Sequence, residues 1–286
     1  MFDTIAQQVQ DQEISLNGLN ITVRRLDQIH PHISGNKFYK LKYNFIEAKR
    51  QGFGNVMTFG GAYSNHIAAT AFAAHQFGFQ SIGIIRGEEL KNSARNHTLA
   101  TAERFGMVLH FISREAYRQK NDPEFLAHLA QRFPESYLIP EGGTNSLAIQ
   151  GTQEILKDAD QTYDFICCAV GTGGTISGLI ERSLNHQRII GFSALKGNFL
   201  NDEVKLLTGK NNWHITDDYC FGGYAKIQPE LIQFIEKFEY EYRIPLEQVY
   251  TGKMMFGIHD LIQQNYFPKN AKVLVIHSGG LQGRTI

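Results

Sequence analysis

Short apolar runs that alternate with helical patterns constrain the fold of this chain most strongly. The apolar runs lie at 55–59, 81–85, 107–112, 137–139, 164–170, 188–194 and 272–276, and one further strand with alternating polarity is expected within 14–27. Periodic helical segments lie between them, near 37–50, 66–77, 94–105, 123–133, 146–156 and 176–184, and two more helices are expected at 227–240 and 254–264. Such alternation is typical of α/β proteins, in which helices cover both faces of a parallel sheet.

The chain is longer than a single hydrophobic core usually supports. It has 286 residues, of which 42% are hydrophobic, so two domains are expected. The Glu141-Gly142-Gly143-Thr144-Asn145 turn is the best boundary signal. We therefore predict a large domain formed by residues 1–43 and 148–286 and a small domain formed by 44–147. The predicted fold has two open, twisted, mostly parallel sheets flanked by helices.

The charge balance favours a small-molecule partner. Lys+Arg and Asp+Glu both count 28, so no net field attracts nucleic acid or an acidic membrane. No apolar run is long enough to span a bilayer, and residues 1–12 do not resemble a signal peptide. The three cysteines and 11 histidines show neither disulfide nor metal-ligand spacing. We expect a cytoplasmic protein without a metal site.

A lysine follows a glycine turn in the stretch Ser34-Gly35-Asn36-Lys37. Gly35 permits an unusual backbone conformation, and Asn36 is predicted to cap the following helix. Lys37 then lies in the first helical turn, where the helix dipole and any burial both lower the pKa of its amine. A neutral lysine amine is a nucleophile that can form a Schiff base, whereas the alternative interpretation is a solvated basic face shared with Lys40 and Lys42.

A glycine-rich loop, Gly171-Thr172-Gly173-Gly174-Thr175, follows an apolar strand and precedes a helix predicted to start at Ile176. This arrangement directs free backbone amides at an anion. The loop lacks the sixth-position glycine of the dinucleotide fingerprint and the Gly-Lys-Ser/Thr of a Walker loop. A single phosphate is the predicted ligand.

Three other glycine turns follow predicted strands. Gly60-Gly61 leads into Ser64-Asn65-His66, where a helix start could bind a carboxylate and Ser64 or Asn65 is the expected cap. The others are Glu141-Gly142-Gly143 and His277-Ser278-Gly279-Gly280. Loops at the carboxyl ends of parallel strands converge on one crevice, so we expect these turns to line one cleft. Tyr224 and Tyr250 lie in glycine-containing loops and have either a packing role or a functional one.

Together these motifs resemble the 1-aminocyclopropane-1-carboxylate deaminase/D-cysteine desulfhydrase family. The resemblance runs from about Val23 to the C-terminus and includes, besides the motifs above, Tyr250-Thr251-Gly252-Lys253. It implies a pyridoxal 5'-phosphate (PLP) enzyme of fold type II, the tryptophan-synthase-β type. It also implies a homodimer that acts on a small amino acid.

The resemblance assigns roles residue by residue. Lys37 would be the Schiff-base lysine and the base that takes the α-proton, with Ser64 as the alternative base. Lys40 would organise the phosphate side of the site, and Gly171, Thr172, Gly173, Gly174 and Thr175 would hold the phosphate. Asn65 would meet the ring hydroxyl. The substrate would lie against Ser64, Asn65, His66, Tyr224 and Tyr250, and either tyrosine could protonate the leaving sulfur.

Two positions separate the activities within the family. Deaminases usually have a glutamate and a leucine where this chain has Thr251 and Ser278. A carboxylate at the pyridine nitrogen strengthens the ring as an electron sink, whereas a threonine hydroxyl only shares a hydrogen bond. Both positions therefore resemble the desulfhydrases, and the predicted reaction is α,β-elimination from D-cysteine to pyruvate, ammonia and sulfide.

Other functions remain open. Ring-opening deamination of the cyclopropane acid, or elimination from another β-substituted amino acid, would use the same cofactor. A nucleotide-binding regulatory or oxidoreductase domain would use only the loop at 171–175 and would leave Lys37 without a role. Hydrolysis by His277 and Ser278 is disfavoured because adjacent residues on a strand point to opposite faces.

Overall fold

The computed structural model describes residues 1–284 and has the predicted α/β architecture, with two mostly parallel sheets flanked by helices. The strands are β1 (Asp11–Leu16), β2 (Leu19–Arg25), β3 (Asn55–Gly60), β4 (Gln80–Arg86), β5 (Met107–Ile112), β6 (Ser136–Ile139), β7 (Phe165–Val170), β8 (Arg188–Ser193), β9 (Trp213–Thr216) and β10 (Val273–His277). The helices are α1 (Asn36–Arg50), α2 (Asn65–Phe77), α3 (His97–Arg104), α4 (Arg114–Arg118), α5 (Pro123–Arg132), α6 (Ser146–Gln153), α7 (Gly174–Arg182), α8 (Phe199–Lys205), α9 (Pro229–Tyr242) and α10 (Thr251–Gln263).

One sheet has six strands and the other has four. The six-stranded sheet has the order β1-β2-β10-β7-β8-β9, in which only the β1–β2 pair is antiparallel. The four-stranded sheet has the order β5-β4-β3-β6 and is parallel throughout. Parallel strands place their carboxyl ends at one edge, so each sheet presents its following loops on one side.

The expected single strand within 14–27 is wrong in one respect, because the structure has a hairpin there. β1 and β2 pair antiparallel around Asn17-Gly18, which adopt positive φ values of 48° and 82°. Asn-Gly is the preferred sequence for this tight turn, since both residues tolerate that backbone conformation. The short strand β9 and the helices α4 and α8 were also not predicted.

Apolar side chains cover both faces of the larger sheet. One core cluster contains Phe38, Leu41 and Ile176 from α1 and α7, and the other contains Ile235 and Met254 from α9 and α10. Two smaller clusters cover the faces of the four-stranded sheet. That sheet lies entirely within residues 44–147, and we propose that the two sheets correspond to the two predicted domains.

A buried arginine bound by two aspartates connects the hairpin to the segment that precedes β7. The Arg24 guanidinium is 1% exposed and pairs with Asp11 at 2.6 Å and with Asp160 at 2.5 Å. It also donates to the carbonyl oxygen of Ile155 at 2.8 Å. Three acceptors therefore satisfy a charge that would otherwise be costly to bury. Within residues 1–284, none of the helices is long and apolar enough to cross a membrane.

Candidate active site

A cleft of about 400 Å³ lies where the loops after the parallel strands converge. It is lined by most of the predicted site residues, namely Lys37, Lys40, Ser64, Asn65, His66, Gly171, Thr172, Gly173, Gly174, Thr175, Tyr224, Tyr250 and Ser278. The predicted convergence of the four glycine turns is thus what the structure shows. Thr251 is the predicted residue that the structure does not bring to the cleft wall.

The lysine turn lies against the last strand-end loop. Gly35 is the N-cap residue of α1 with φ of 67°, and a Cβ there would lie 1.8 Å from the carbonyl oxygen of Ser278. Only glycine allows this contact. The prediction that Asn36 caps the helix is wrong, because Asn36 is the first helical residue and makes no capping bond.

Asn36 instead connects the lysine to the glycine-rich loop. Its side-chain oxygen accepts a hydrogen bond from Lys37 Nζ at 3.0 Å, and its nitrogen donates to Thr175 Oγ1 at 2.9 Å. Residues separated by 139 positions are thereby joined through one amide. The amine and the phosphate-type loop belong to one site.

The environment of Lys37 favours a neutral amine. Burial at the base of the cleft lowers the pKa of this amine from 10.5 to about 8, although the negative charge of Glu247 acts in the opposite direction. Desolvation disfavours the ammonium form because the protein interior solvates a charge less well than water. A substantial fraction of the amine is then unprotonated near neutral pH and able to attack a carbonyl carbon.

Lys40 lies one helical turn later and is 1% exposed. Its Nζ donates to Thr144 Oγ1 at 2.8 Å and to Thr172 Oγ1 at 3.1 Å. Burial, together with the nearby charge of Lys37, holds the pKa of this amine well below its usual value. Within residues 1–284, neither lysine is in an ion pair with a carboxylate. The base of the cleft therefore offers two amine donors whose pKa values are lowered, and a bound anion would favour their ammonium forms.

The glycine-rich loop forms an open cradle beside Lys40. Gly173 is the N-cap of α7 with φ of 74°, and the helix begins at Gly174, two residues earlier than predicted. A Cβ at Gly174 would lie 2.9 Å from Thr144 Oγ1 and 3.0 Å from Lys40 Nζ. The absent side chain keeps this space open, and the first amides of the helix have no helical acceptor. The loop is suited to a phosphate group.

The start of α2 forms the opposite wall. Ser64 is the N-cap residue, as predicted, but its hydroxyl makes no capping bond. Asn65 donates from Nδ2 to the carbonyl oxygen of Gly280 at 3.4 Å, while its buried Oδ1 has no hydrogen-bond partner among the residues that the structure describes. An unpartnered buried acceptor is costly unless a ligand supplies the donor.

His66 is a neutral, locked ring. Thr58 Oγ1 donates to the carbonyl oxygen of Ile139 at 2.8 Å and lies 2.8 Å from His66 Nε2, so the hydroxyl accepts from the protonated Nε2. Nδ1 is then the unprotonated nitrogen, and it has no hydrogen-bond partner in the described part of the chain, residues 1–284. Burial, followed by the charges of Lys37 and Lys40, holds the pKa of this ring well below its usual value. His66 offers the cleft an acceptor rather than a charge.

Tyr224 and Tyr250 lie together on a third wall. Their ring centroids are 6.1 Å apart with an edge-to-face arrangement. Burial, followed by the neighbouring phenol and carboxylate charges, raises the pKa of Tyr250 well above its usual value. Tyr250 therefore remains a protonated donor at neutral pH.

Thr251 is fully buried behind Tyr250. Its hydroxyl accepts from the Glu247 N–H at 3.0 Å, and its own N–H donates to Glu247 Oε1 at 2.6 Å. Its contact with a pyridine nitrogen stays a prediction. Ser278, by contrast, lines the cleft, and its carbonyl oxygen accepts from the Asn36 N–H at 3.1 Å.

Sequence reasoning missed Glu247, whose carboxylate organises the start of α10. It accepts hydrogen bonds from the N–H groups of Val249 at 2.7 Å and of Tyr250 and Thr251 at 2.6 Å. Burial raises the pKa of Glu247, and these hydrogen bonds oppose the rise. An acidic residue just before a helix start was the available signal.

Arg86 and Glu141 also line the cleft and had no predicted role. Glu141 accepts from the Tyr117 hydroxyl at 2.5 Å and lies 3.4 Å from Lys120 Nζ. The Arg86 guanidinium lies over the Tyr117 ring, 5.9 Å from its centroid. Both charges are at strand ends, where functional residues of parallel sheets concentrate.

The observed groups fit a phosphate-bearing aldehyde cofactor. The cradle at Gly174 and the Lys40 amine supply space and donors for an anion, and Lys37 supplies the nucleophile. The unpartnered atoms of Asn65 and His66 supply polar contacts on the other side. Within residues 1–284, no group of three or more His, Cys, Asp or Glu side chains is arranged to hold a metal ion.

Comparison with known proteins agrees with this geometry. The family model described as pyridoxal-phosphate dependent enzyme matches residues 13–279. A Thermotoga maritima protein, which has the provisional name 1-aminocyclopropane-1-carboxylate deaminase, is 32% identical over 93% of this chain and 90% of its own length.

A bifunctional D-cysteine desulfhydrase/1-aminocyclopropane-1-carboxylate deaminase of Arabidopsis thaliana, a mitochondrial protein, is 29% identical over 93% of this chain and 74% of its own length. Among solved structures, an ACC deaminase homologue superposes with a TM-score of 0.83 at 27% identity, covering 98% of this chain and 91% of that one. Both the sequence and the fold are thus similar to those of PLP enzymes that act on small amino acids.

Proposed function

The chain belongs to the family of pyridoxal-phosphate dependent enzymes, and we propose that it is a D-cysteine desulfhydrase-like lyase that acts by α,β-elimination. One molecule of D-cysteine and one of water would give pyruvate, ammonia and sulfide. The observation that carries this proposal is the connection of Lys37 through Asn36 to Thr175, which joins a nucleophilic amine to a phosphate cradle. The resemblance of Thr251 and Ser278 to the desulfhydrase pattern supports the choice of reaction.

When bound, PLP supplies an aldehyde that captures an amine and a ring that accepts the electron pair of the broken α-C–H bond. The residues that would hold its phosphate are those of the 171–175 loop together with Lys40. The Lys40 amine is positioned by its hydrogen bonds to the hydroxyl groups of Thr144 and Thr172. Lys37 would react with the aldehyde. These groups lie in one cleft and need no large rearrangement to act together.

Proton transfer is assigned to Lys37 and the two tyrosines. The lowered pKa of Lys37 makes its amine a base near neutral pH, so that it can take the α-proton once the substrate amine has displaced it. Ser64, at the start of α2, is the alternative base. Tyr250 stays protonated and packs edge to face against Tyr224, and we assign delivery of a proton to the departing sulfur to one of these two phenols.

The substrate carboxylate would bind at the start of α2. The first amides of this helix and the uncapped Ser64 hydroxyl face the cleft, and a helix N-terminus attracts an anion. Asn65 and His66 would orient the cofactor or the substrate through acceptors that have no partner among residues 1–284. These roles explain why polar atoms are buried there without internal hydrogen bonds.

The purified protein tests the proposal directly. We expect a yellow chromophore that borohydride bleaches at Lys37, and we expect sulfide and pyruvate from D-cysteine at a higher rate than from L-cysteine. The second candidate is ring-opening deamination of the cyclopropane acid, which the names of two relatives favour. Release of 2-oxobutyrate from that acid at a higher rate than pyruvate from D-cysteine would support this candidate instead.

The assembly and the compartment are proposed by analogy. We expect a homodimer, as in the family that the motifs resemble, and light scattering of the holoenzyme measures its mass. A reducing cytoplasm is supported by three cysteines that are all buried and unpaired, although a plant relative is named as mitochondrial.

A further inference from the structure

Arg86 lies where the cleft opens into a second cavity. It is the last residue of β4, and its side chain lines both the cleft and an adjoining cavity of about 240 Å³. Leu90, Leu99, Asn96 and Arg114 are among the other walls of that cavity. The second cavity therefore adjoins the cleft at Arg86, and its walls combine leucine side chains with a second arginine, Arg114.

The Arg86 guanidinium has no partner of its own. Among residues 1–284 it is in no hydrogen bond or ion pair, and its contact is with the face of the Tyr117 ring. The carboxylate on the same wall, Glu141, is already bound by Tyr117 and Lys120. The second guanidinium of the cavity, on Arg114, pairs with Glu89 at 2.7 Å. Arg86 therefore presents unused donors in a planar fork that suits a carboxylate.

The position of this fork is close to the expected substrate. Arg86 Nη2 lies 3.8 Å from the place that a Cβ on Gly61 would occupy, so it borders the turn that leads into α2. The start of α2 already provides amides for the α-carboxylate. Arg86 is on the side of this turn that faces the second cavity, where atoms beyond the β-carbon of a bound amino acid would extend.

Building on the proposed elimination, we propose that Arg86 binds an anionic group at the far end of the β-substituent, so that the substrates include thioethers of cysteine that end in a carboxylate. For S-carboxymethylcysteine the Cβ–S bond breaks, the sulfur keeps the electron pair and takes a proton, and the α-carbon loses its proton. One water is consumed, and the products are mercaptoacetate, pyruvate and ammonia.

A matched pair of substrates tests this specificity. S-carboxymethylcysteine and S-carboxamidomethylcysteine have nearly the same size and differ in one charge. We expect the holoenzyme to favour the carboxylate, and Arg86→Met to lower the ratio of their kcat/KM values by about 10- to 100-fold, the range for losing a charge-assisted hydrogen bond. The change should lie mainly in KM, because a group remote from the reacting bond is bound equally in ground and transition states. Arg86→Lys should restore part of the ratio.

A control variant and a binding measurement separate this role from general damage. Arg114→Met removes a guanidinium that is already paired, and we expect it to change the ratio by less than about twofold. Glutamate and glutamine lack a β-leaving group, so their inhibition constants against D-cysteine elimination report binding alone. Arg86→Met should weaken inhibition by glutamate and leave glutamine nearly as before.

The outcomes distinguish this inference from the function on which it depends. Failure to release pyruvate from any cysteine derivative would overturn the proposed elimination. In that case, stronger inhibition by glutamate than by glutamine in an assay of cyclopropane ring opening would still support an anion-binding site at Arg86. If D-cysteine is eliminated but the ratio is unaffected by Arg86→Met, the inference is wrong. Equal losses for the charged and neutral thioethers would also overturn it, since they would place Arg86 at the α-carboxylate.

Discussion

The lowered pKa of Lys37 has a measurable chemical consequence in the protein without cofactor. With a pKa of about 8 rather than 10.5, about 10% of the amine is neutral at pH 7, against about 0.03% for an ordinary lysine. The nucleophilic form is therefore enriched by about 300-fold. Because burial is the larger cause of the shift, the enrichment should persist at high salt, which screens exposed charges but not desolvation.

Reaction of the apoprotein with pyridoxal tests this magnitude without interference from a phosphate group. The rate of modification at Lys37, located by borohydride reduction and mass spectrometry, should rise with pH and level off above a midpoint near 8. A lysine-containing peptide treated in parallel gives the ordinary profile. Glu247→Gln should move the midpoint to lower pH, because the Glu247 charge raises the pKa of Lys37. A midpoint at 10 or above, or a Lys37 reactivity equal to that of the peptide, would refute the reasoning.

Three further substitutions test separate parts of the structure. Thr251→Glu should lower both the rate of D-cysteine elimination and the melting temperature, because the new carboxylate would be buried beside Glu247. Thr251→Ser is the control. Unchanged elimination kinetics in Thr251→Glu would contradict the assignment of Thr251 to the active site. Gly174→Ala should weaken PLP binding at least tenfold in an absorbance titration, since its Cβ would occupy the cradle, and unaltered affinity would exclude a phosphate there. Arg24→Met should reduce the free energy of unfolding by about 3 kcal/mol in urea, because two carboxylates lose their buried partner; a loss below about 1 kcal/mol would show that water replaces the guanidinium.

Much of the architecture could be predicted because the strands of a parallel sheet are buried on both faces and therefore stand out in the sequence as short apolar runs. The buried strands β7 and β10 are nearly continuous apolar runs, and the helices between the strands have the helical period of apolar residues. The strand β9 contains Trp213, His214 and Thr216 and is only four residues long, so no apolar run marks it. The Asn17-Gly18 turn was visible in the sequence, yet the alternation on both sides was interpreted as one strand.

The parts of the site that are formed by glycine turns could be predicted from the sequence. Glycine-containing turns that follow apolar runs can be recognised in the sequence. The turns that form the cleft walls, the first at Gly35 and the last at Gly280, could therefore be predicted. Contacts between distant side chains carry no such signal. The bond from Asn36 to Thr175 requires two loops to meet in space, and Glu247 acquires its function only from amides that the start of α10 leaves without acceptors.

The distribution of carboxylates around the cleft bears on the charge state of Lys40, which is buried, whereas Lys37 is partly exposed. Glu247 is bound by three backbone amides and Glu141 by Tyr117 and Lys120, so neither is available as a counter-ion for Lys40. Burial, followed by the charge of Lys37, lowers the pKa of Lys40, and no carboxylate among residues 1–284 pairs with it to oppose the shift. A phosphate in the cradle would reverse it, because a nearby negative charge favours the ammonium form. Cofactor binding and protonation of Lys40 should therefore be linked, because a bound phosphate would supply the counter-charge that the ammonium form lacks among residues 1–284.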